Sequence, residues 1–581
     1  MDRRNDGVSE EFLRFNRSFL QSDESLTVLG DGELGGKGKG LAFIRRVLRD
    51  RFPHDRFPGL QVRIPKLAVL TTDRFAQFME QNGLYDRVLG DVSDDRIAHA
   101  FLNAELPPDL VGDLWALASS TRQPLAVRSS SLLEDARNEP FAGIYETKMV
   151  PNNQDEPSGR FQRLVEALKL VYASTFFAAA RDYRTATGAD HRAERMAVVI
   201  QEVVGCRRGD RFYPAVSIVA RSFNHYPFGH ARPEDGVVSL ALGLGKTIVD
   251  GGACWTYCPR YPTVAPPVGS VGELFKVTQS RFWAVNMGQP PEHDPMRETE
   301  FLVHAGLEEA LGDGVLPLLA STYEQESDRL RPGAEERCPL VLNFASMLDG
   351  GTLPLNEAVM ELLRVSEEAL GIEVEIELAL DFADGGREAT LGFLQVRPMV
   401  VSRDVVSLSE EELDSESALL RSSRALGNGT RSDIRHVVYV RPEAFEAEHT
   451  RKIAAEIGVV NRMLLSSSLP CILIGFGRWG SSDPWLGIPV TWGQVSSARV
   501  LVESTLPQMN VELSQGSHFF HNLTAFRAFY FPVPDGGRTI QWDWLDRLPA
   551  VHETALIRCV ELPQPLVVKV DGRTGKGVIL A

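Results

Sequence analysis

The chain has 581 residues, 43% hydrophobic and 24% charged, the profile of a globular protein with room for roughly three or four domains. Its net charge of −17 excludes a general grip on nucleic acid or an anionic membrane, but not a local basic pocket. Six scattered cysteines complete no zinc pattern, MDRRNDGVSE lacks the apolar core of a signal peptide, and no run of about 18 apolar residues occurs, so a soluble cytoplasmic protein is expected.

After a polar lead, Leu26–Leu29 predicts a short strand, followed by GDGELGGKGKGLAFIRRVL. Leu41, Ile44, Val47 and Leu48 recur at helical spacing. Gly35, Gly36, Gly38 and Gly40 therefore fall at a helix start, where backbone N–H groups approach an anion and Lys37 adds a charge. No Gly-Lys-Ser/Thr follows at the right spacing, so this is not a Walker loop. IPKLAVL then predicts a strand, Thr71-Thr72 a cap, and Phe75, Phe78 and Met79 the buried side of a helix.

Residues 124–149 read PLAVRSSSLLEDARNEPFAGIYETKM. The apolar strand Leu125–Val127 delivers Arg128 to three serines, an anion-facing turn, with solvated surface as the alternative. Residues 161–184 predict an amphipathic helix with Leu164, Leu168, Val171 and Phe176 inward. Met196 to Val204 predicts a buried strand, and 213–220 and 237–242 two more.

From Val374 to Pro398 the chain predicts a hairpin. Val374, Ile376, Leu378 and Leu380 alternate with Glu375, Glu377, Ala379 and Asp381, a strand with one wet face. Asp384-Gly385-Gly386 supplies the turn. On the return, Phe393, Gln395 and Arg397 are expected on one face, with Leu394 and Val396 on the other. Centred near Gly386, the hairpin sets Gln395 opposite Glu377. A hard cation takes their two oxygens and a phosphate takes Arg397. On these residues alone, an edge hairpin with solvated charges remains the alternative.

Residues 401–432 predict a linker with one helix, and 433–581 a separate α/β domain. Within it, ILIGFGRWGSSDPW formally fits GxGxxG after a strand, but Pro484 argues against the helix that a dinucleotide fingerprint needs. In QGSHFFHN, His518 is a candidate phosphoryl carrier, since a neutral imidazole attacks phosphorus; a structural role for His518 and His521 is the alternative.

Together Gly35-Gly36-Lys37-Gly38, Ile64-Pro65, Thr71-Thr72, Ala126-Val127-Arg128-Ser129-Ser130, Glu134-Asp135, Phe141-Ala142-Gly143, Val199-Ile200-Gln201, Gly243-Leu244-Gly245, Glu377 and Gln395-Val396-Arg397-Pro398 resemble one family in order and spacing. This is the N-terminal nucleotide-binding domain of the pyruvate phosphate dikinase and phosphoenolpyruvate synthase family. The resemblance implies an α/β fold: a two-lobed ATP-grasp-like unit, lobes 1–195 and 196–400, then the linker 401–432 and the smaller α/β domain 433–581. It implies that Lys37 and Arg128 hold ATP phosphates and that Glu134, Gln201 and Val204 belong to the nucleotide site, the last two beside adenine. It implies that Glu377 and Gln395 bind Mg²⁺ and that Arg397 faces the transferred phosphate. Arg128, Arg397 and His518 are the candidate catalytic residues. The implied function is an ATP- and Mg²⁺-dependent phosphotransferase with an unknown acceptor; an ATP-responsive binding module without turnover is the other reading. The sequence departs from the family at Ala179, where an arginine is usual, at Lys246, where an acid is usual, and in AVSIVARSFNHYP, and it has no room for a pyruvate-binding barrel.

Overall fold

The computed structural model describes residues 13–581 except 91, 133–143, 188–193, 226, 228, 265–270, 272–273, 276–277, 336–337, 350–352, 384–385, 400–405, 407, 414, 416, 482, 484, 507–508, 510–527, 535–538 and 573. The chain forms two compact units. One comprises Met1–Ala136, Pro140–Ala178 and His191–Met399, the other Arg137–Glu139, Ala179–Asp190 and Val400–Ala581. Both mix strands and helices, as an α/β protein should. Among the described residues no helix is long and apolar enough to cross a membrane.

Two sheets of the first unit matter for the site. One has the order Leu26–Leu29, Leu67–Leu70, Met196–Glu202, Leu125–Ser131, Thr147–Val150. The other has the order Trp255–Tyr257, Val237–Ala241, Val216–Arg221, Val374–Ala383, Glu388–Pro398, Leu60–Arg63. Their strands are near-continuous apolar runs because both faces are covered. The first sheet draws Met196–Glu202 from beyond residue 195, and the second draws Leu60–Arg63 from before it, so the sheets cross the expected 195/196 division.

The helix Gly35–Arg51 packs on both sheets. Leu41, Ile44, Val47 and Leu48 are buried, as their spacing predicts. At Gly35, φ is +70° and an added Cβ would fall 1.6 Å from the Ser130 carbonyl oxygen. Glycine is therefore required there by close approach to the Leu125–Ser131 strand.

The hairpin has the expected register, Glu377 opposite Gln395 and Glu375 opposite Arg397. It then departs from regular alternation. Leu378 pairs with Phe393, which leaves Leu394 as the extra residue of a β-bulge. The bulge reverses the face of everything before it. Leu391, Phe393 and Val396 join Ile376, Leu378 and Leu380 in the core, while Gln395 and Arg397 turn the other way. Phe393 thus does not share a face with Gln395, contrary to the period-two expectation. The predicted wet face is also not wet: Glu375, Asp381, Gln395 and Arg397 are all buried. Their charge is tolerated because each acid meets an arginine, Asp381 with Arg208 at 2.7 Å and Glu375 with Arg221 at 2.6 Å.

The second unit is built on a sheet ordered Ala418–Ser422, Lys576–Leu580, Ile557–Asp571, Gly429–Val440, Cys471–Phe476, Ala498–Ser504, Phe529–Val533, with Ala550–Glu553 paired to Ile557–Asp571. The last four strands of the series are parallel, and the helix Thr450–Ser466 makes the first crossover. Ala418–Ser422, inside the stretch expected as a linker, is the sheet's edge strand. After Cys471–Phe476 the chain turns at Gly477 (φ +72°) and pairs Arg478–Trp479 with Gly487–Ile488, with no helix of the dinucleotide type among the described residues.

Candidate functional site

Arg128 lies on the Leu125–Ser131 strand and reaches the hairpin. Its Nη1 donates to the Leu394 carbonyl at 3.1 Å and to Gln201 Oε1 at 3.4 Å. Its Nη2 donates to Gln395 Oε1 at 2.6 Å and approaches Glu377 Oε2 at 3.5 Å. The bulge makes the first of these bonds possible, since the carbonyl of an extra residue is freed from the ladder. Arg128, Gln201, Glu377 and Gln395, expected together from the sequence, do lie together.

Arg397 joins them through Glu377, Nη2 to Oε1 at 3.4 Å. On its other side, Nη1 stands 3.8 Å from Glu375 Oε1. Lys37 sits in the first turn of its helix, buried, with Nζ donating to Ser129 Oγ at 3.4 Å, beside Arg128 on the same strand. The Gly38 N–H donates to Ser130 Oγ, and that hydroxyl donates to the Leu34 carbonyl, so part of the expected anion-facing backbone is engaged with the strand. Gln201 is buried, and its Nε2 has no hydrogen-bond partner among the described residues. Such a donor is costly unless a ligand accepts from it. Val204 packs against the hairpin at Gly392, where a Cβ would come within 2.5 Å of Val204 Cγ2. Glu134 and His518 lie outside the described residues.

Lys37, Arg128, Arg221 and Arg397 outnumber Glu375 and Glu377, a local excess of positive charge within a chain of net charge −17. A polyanion is favoured there. Glu377 and Gln395 offer adjacent oxygens of the kind Mg²⁺ accepts alongside phosphate oxygens, so the donor chemistry fits that ion. In their present positions Arg128 and Arg397 supply the positive charge against those oxygens. At the edge of the first sheet, burial and repulsion from Glu298 push the Glu146 carboxyl up to about 7, against the pull of Lys148 and Lys246.

Three contributors were missed in the sequence. Glu375 and Arg221 form a second charged row beside Glu377, and the Leu394 carbonyl anchors Arg128. Glu375 alternates with Glu377 in the hairpin, which was a usable signal. Arg221 at the end of a buried strand was another.

Comparison with known proteins bears on the first unit. The model of the family "pyruvate phosphate dikinase, AMP/ATP-binding domain" matches residues 32–417. The rifampicin phosphotransferase of Streptomyces sviceus is 30% identical over 253 residues, 41% of this chain and 25% of that protein. The phosphoenolpyruvate synthase of Escherichia coli is 29% identical over 214 residues, 33% of this chain and 25% of that protein. That of Pseudomonas aeruginosa is 28% identical over 211 residues, with the same coverage. The chain thus spans about a quarter of the length of these relatives. The family match covers well over half of the chain, and Arg128, Gln201, Glu377, Gln395 and Arg397 all fall within it: the chain belongs to the pyruvate phosphate dikinase AMP/ATP-binding domain family.

Proposed function

We propose that the first unit binds Mg–ATP and that the chain is an ATP-dependent phosphotransferase. The observation that carries this is the cross-strand pair Glu377–Gln395 with Arg128 and Arg397 on its oxygens. Phosphoryl transfer asks a protein mainly to position the phosphates and neutralise charge. In this reading Lys37 and Arg128 hold the phosphates, Gln201 donates Nε2 to the base beside Val204, and Arg397 faces the group transferred. Glu377 and Gln395 hold Mg²⁺, which supplies Lewis-acid charge neutralisation when bound. Glu134 joins the nucleotide site. The relatives' names, rifampicin phosphotransferase and phosphoenolpyruvate synthase, support transfer from ATP to an acceptor.

The test is ATP turnover by the full chain, with AMP, ADP and phosphate resolved by chromatography. AMP plus phosphate indicates dikinase chemistry, and ADP indicates simple kinase chemistry. Tight nucleotide binding without turnover across a broad metabolite panel would overturn the enzyme reading. His518 enters as a candidate carrier: label from ATP should stay on the protein as an acid-labile adduct and be lost in His518→Ala.

A further inference from the structure

Arg221, Glu375 and Arg397 form one row across three adjacent strands, Arg221 paired with Glu375 and Glu375 with Arg397. The row lies two residues along from Glu377–Gln395, on the same face of the hairpin. Glu375 is 1% exposed. Its Oε2 accepts from Arg221 Nε at 2.6 Å, and its Oε1 faces Arg397 at 3.8 Å. Two guanidinium groups thus flank a deeply buried carboxyl group.

Arg221 uses Nε alone for this bond. Its Nη1 and Nη2 have no hydrogen-bond partner among the described residues, and its side chain keeps 15% exposure. Two other arginines of this unit engage their terminal nitrogens with protein acceptors. Arg208 holds Asp381 and the Tyr213 carbonyl, and Arg160 holds four main-chain carbonyls. Arg221 instead has one edge fixed by Glu375 and its outer nitrogens available. A guanidinium so held is oriented before any ligand arrives, which lowers the ordering cost of binding. Its planar donors match the paired oxygens of a phosphate or carboxylate.

We infer that Arg221 is the handle for an anionic group, phosphate or carboxylate, on the phosphoryl acceptor. The inference rests on the Mg–ATP reading of this site and adds the acceptor's chemical class. Arg221 and Arg397 stand two strands apart, about 10 Å between their backbones, and their side chains converge on the two oxygens of Glu375, Arg221 Nε at 2.6 Å from Oε2 and Arg397 Nη1 at 3.8 Å from Oε1. Arg221 therefore grips the acceptor beside the group that Arg397 faces.

The test titrates inorganic phosphate and, separately, succinate into the full chain by calorimetry, with and without Mg–AMPPNP. At least one anion binds the wild type, and which one binds distinguishes phosphate from carboxylate. Arg221→Gln, whose amide still donates to Glu375, weakens that binding about tenfold, and Arg221→Lys, which lacks the planar fork, weakens it as well. No binding of either anion, or equal binding by wild type and Arg221→Gln, overturns the inference. Phenylglyoxal footprinting of the wild type reads the same point without a variant: the bound anion protects Arg221, and unprotected modification at saturating anion overturns it. Failure of Mg–AMPPNP to bind would instead overturn the nucleotide reading, and the anion titration without nucleotide keeps the two failures apart.

Discussion

The Leu394 carbonyl accepts a hydrogen bond from Arg128 Nη1 at 3.1 Å, across 266 residues of sequence. Leu394 is the bulged residue, so this bond and the facing of Gln395 and Arg397 share one cause. Deleting Leu394 would restore regular alternation and drive either Phe393 or the Gln395–Arg397 pair onto the wrong face. Calorimetry on the deletion variant should find no measurable Mg–ATP binding, with stability lowered by several kcal/mol, about the cost of exposing one large core side chain or burying an unpaired charge. Nucleotide affinity within tenfold of wild type would show that the bulge does not set the site.

Glu377 stands between Arg128 and Arg397 and is the one carboxylate of the expected metal pair. Glu377→Ala removes a metal oxygen but also releases two arginines toward the nucleotide. The expected outcome is asymmetric. Affinity for ATP with Mg²⁺ falls by about tenfold or more, the scale of a lost charged interaction. Affinity for ATP in excess chelator holds or rises. Equal losses with and without Mg²⁺ would separate Glu377 from the metal.

Glu146 makes stability depend on pH. Its folded value of about 7 lies above the ordinary 4.5 because burial and Glu298 disfavour its charge. The folded state therefore binds more protons than the unfolded state between those values. Stability from this group is fully present below about 4.5 and is lost as pH rises through about 7. The full effect is about 3 kcal/mol. Glu146→Gln should match wild type near pH 4.5 and exceed it by up to that amount at pH 8, read from urea midpoints. A difference that does not grow with pH would show that Glu146 ionises freely.

In the second unit Glu503 is buried and accepts from the Trp479 N–H and the Tyr530 hydroxyl, each at 2.8 Å. Tyr530→Phe removes a donor from a buried carboxylate and should cost about 1.5–3 kcal/mol in chemical denaturation. A loss under 0.5 kcal/mol, within the range of ordinary surface substitutions, would show that the Tyr530 bond does not hold Glu503 in place.

Much of the site was legible because its chemistry follows strand register. Glu377 and Gln395 are a cross-strand pair, and counting outward from Gly386 found them. Arg128 was legible as a charge emerging from a short apolar strand. The bulge was not legible: nothing in Gly392-Phe393-Leu394-Gln395 marks an extra residue, and the phase of Phe393 is decided by core packing 0% exposed against Leu378 and Leu391. The burial of Glu375 and Asp381 was hidden for a related reason. Alternation of acids with aliphatic residues looks the same whether the acids meet water or the arginines of other strands, Arg221 and Arg208. The edge strand Ala418–Ser422 was masked by its setting among Ser, Glu and Arg. The glycines before Leu41 pointed toward an anion, yet Gly35 is also demanded by contact with Ser130.

Arg128 and Gln395 are 267 residues apart in the chain and joined at 2.6 Å in the fold. At ribosomal rates of about 5–20 residues per second, Arg128 leaves the ribosome roughly 13 to 53 s before its partner. The edge partner of the Glu388–Pro398 strand, Leu60–Arg63, waits longer still. Once Met196–Glu202 has been made, the first sheet carries a guanidinium whose hairpin partners are still absent, and the lone Leu60–Arg63 strand has no neighbour to complete. The nascent chain is therefore exposed to chaperones and proteases until the hairpin arrives, and synthesis speed between residues 130 and 400 becomes a determinant of yield.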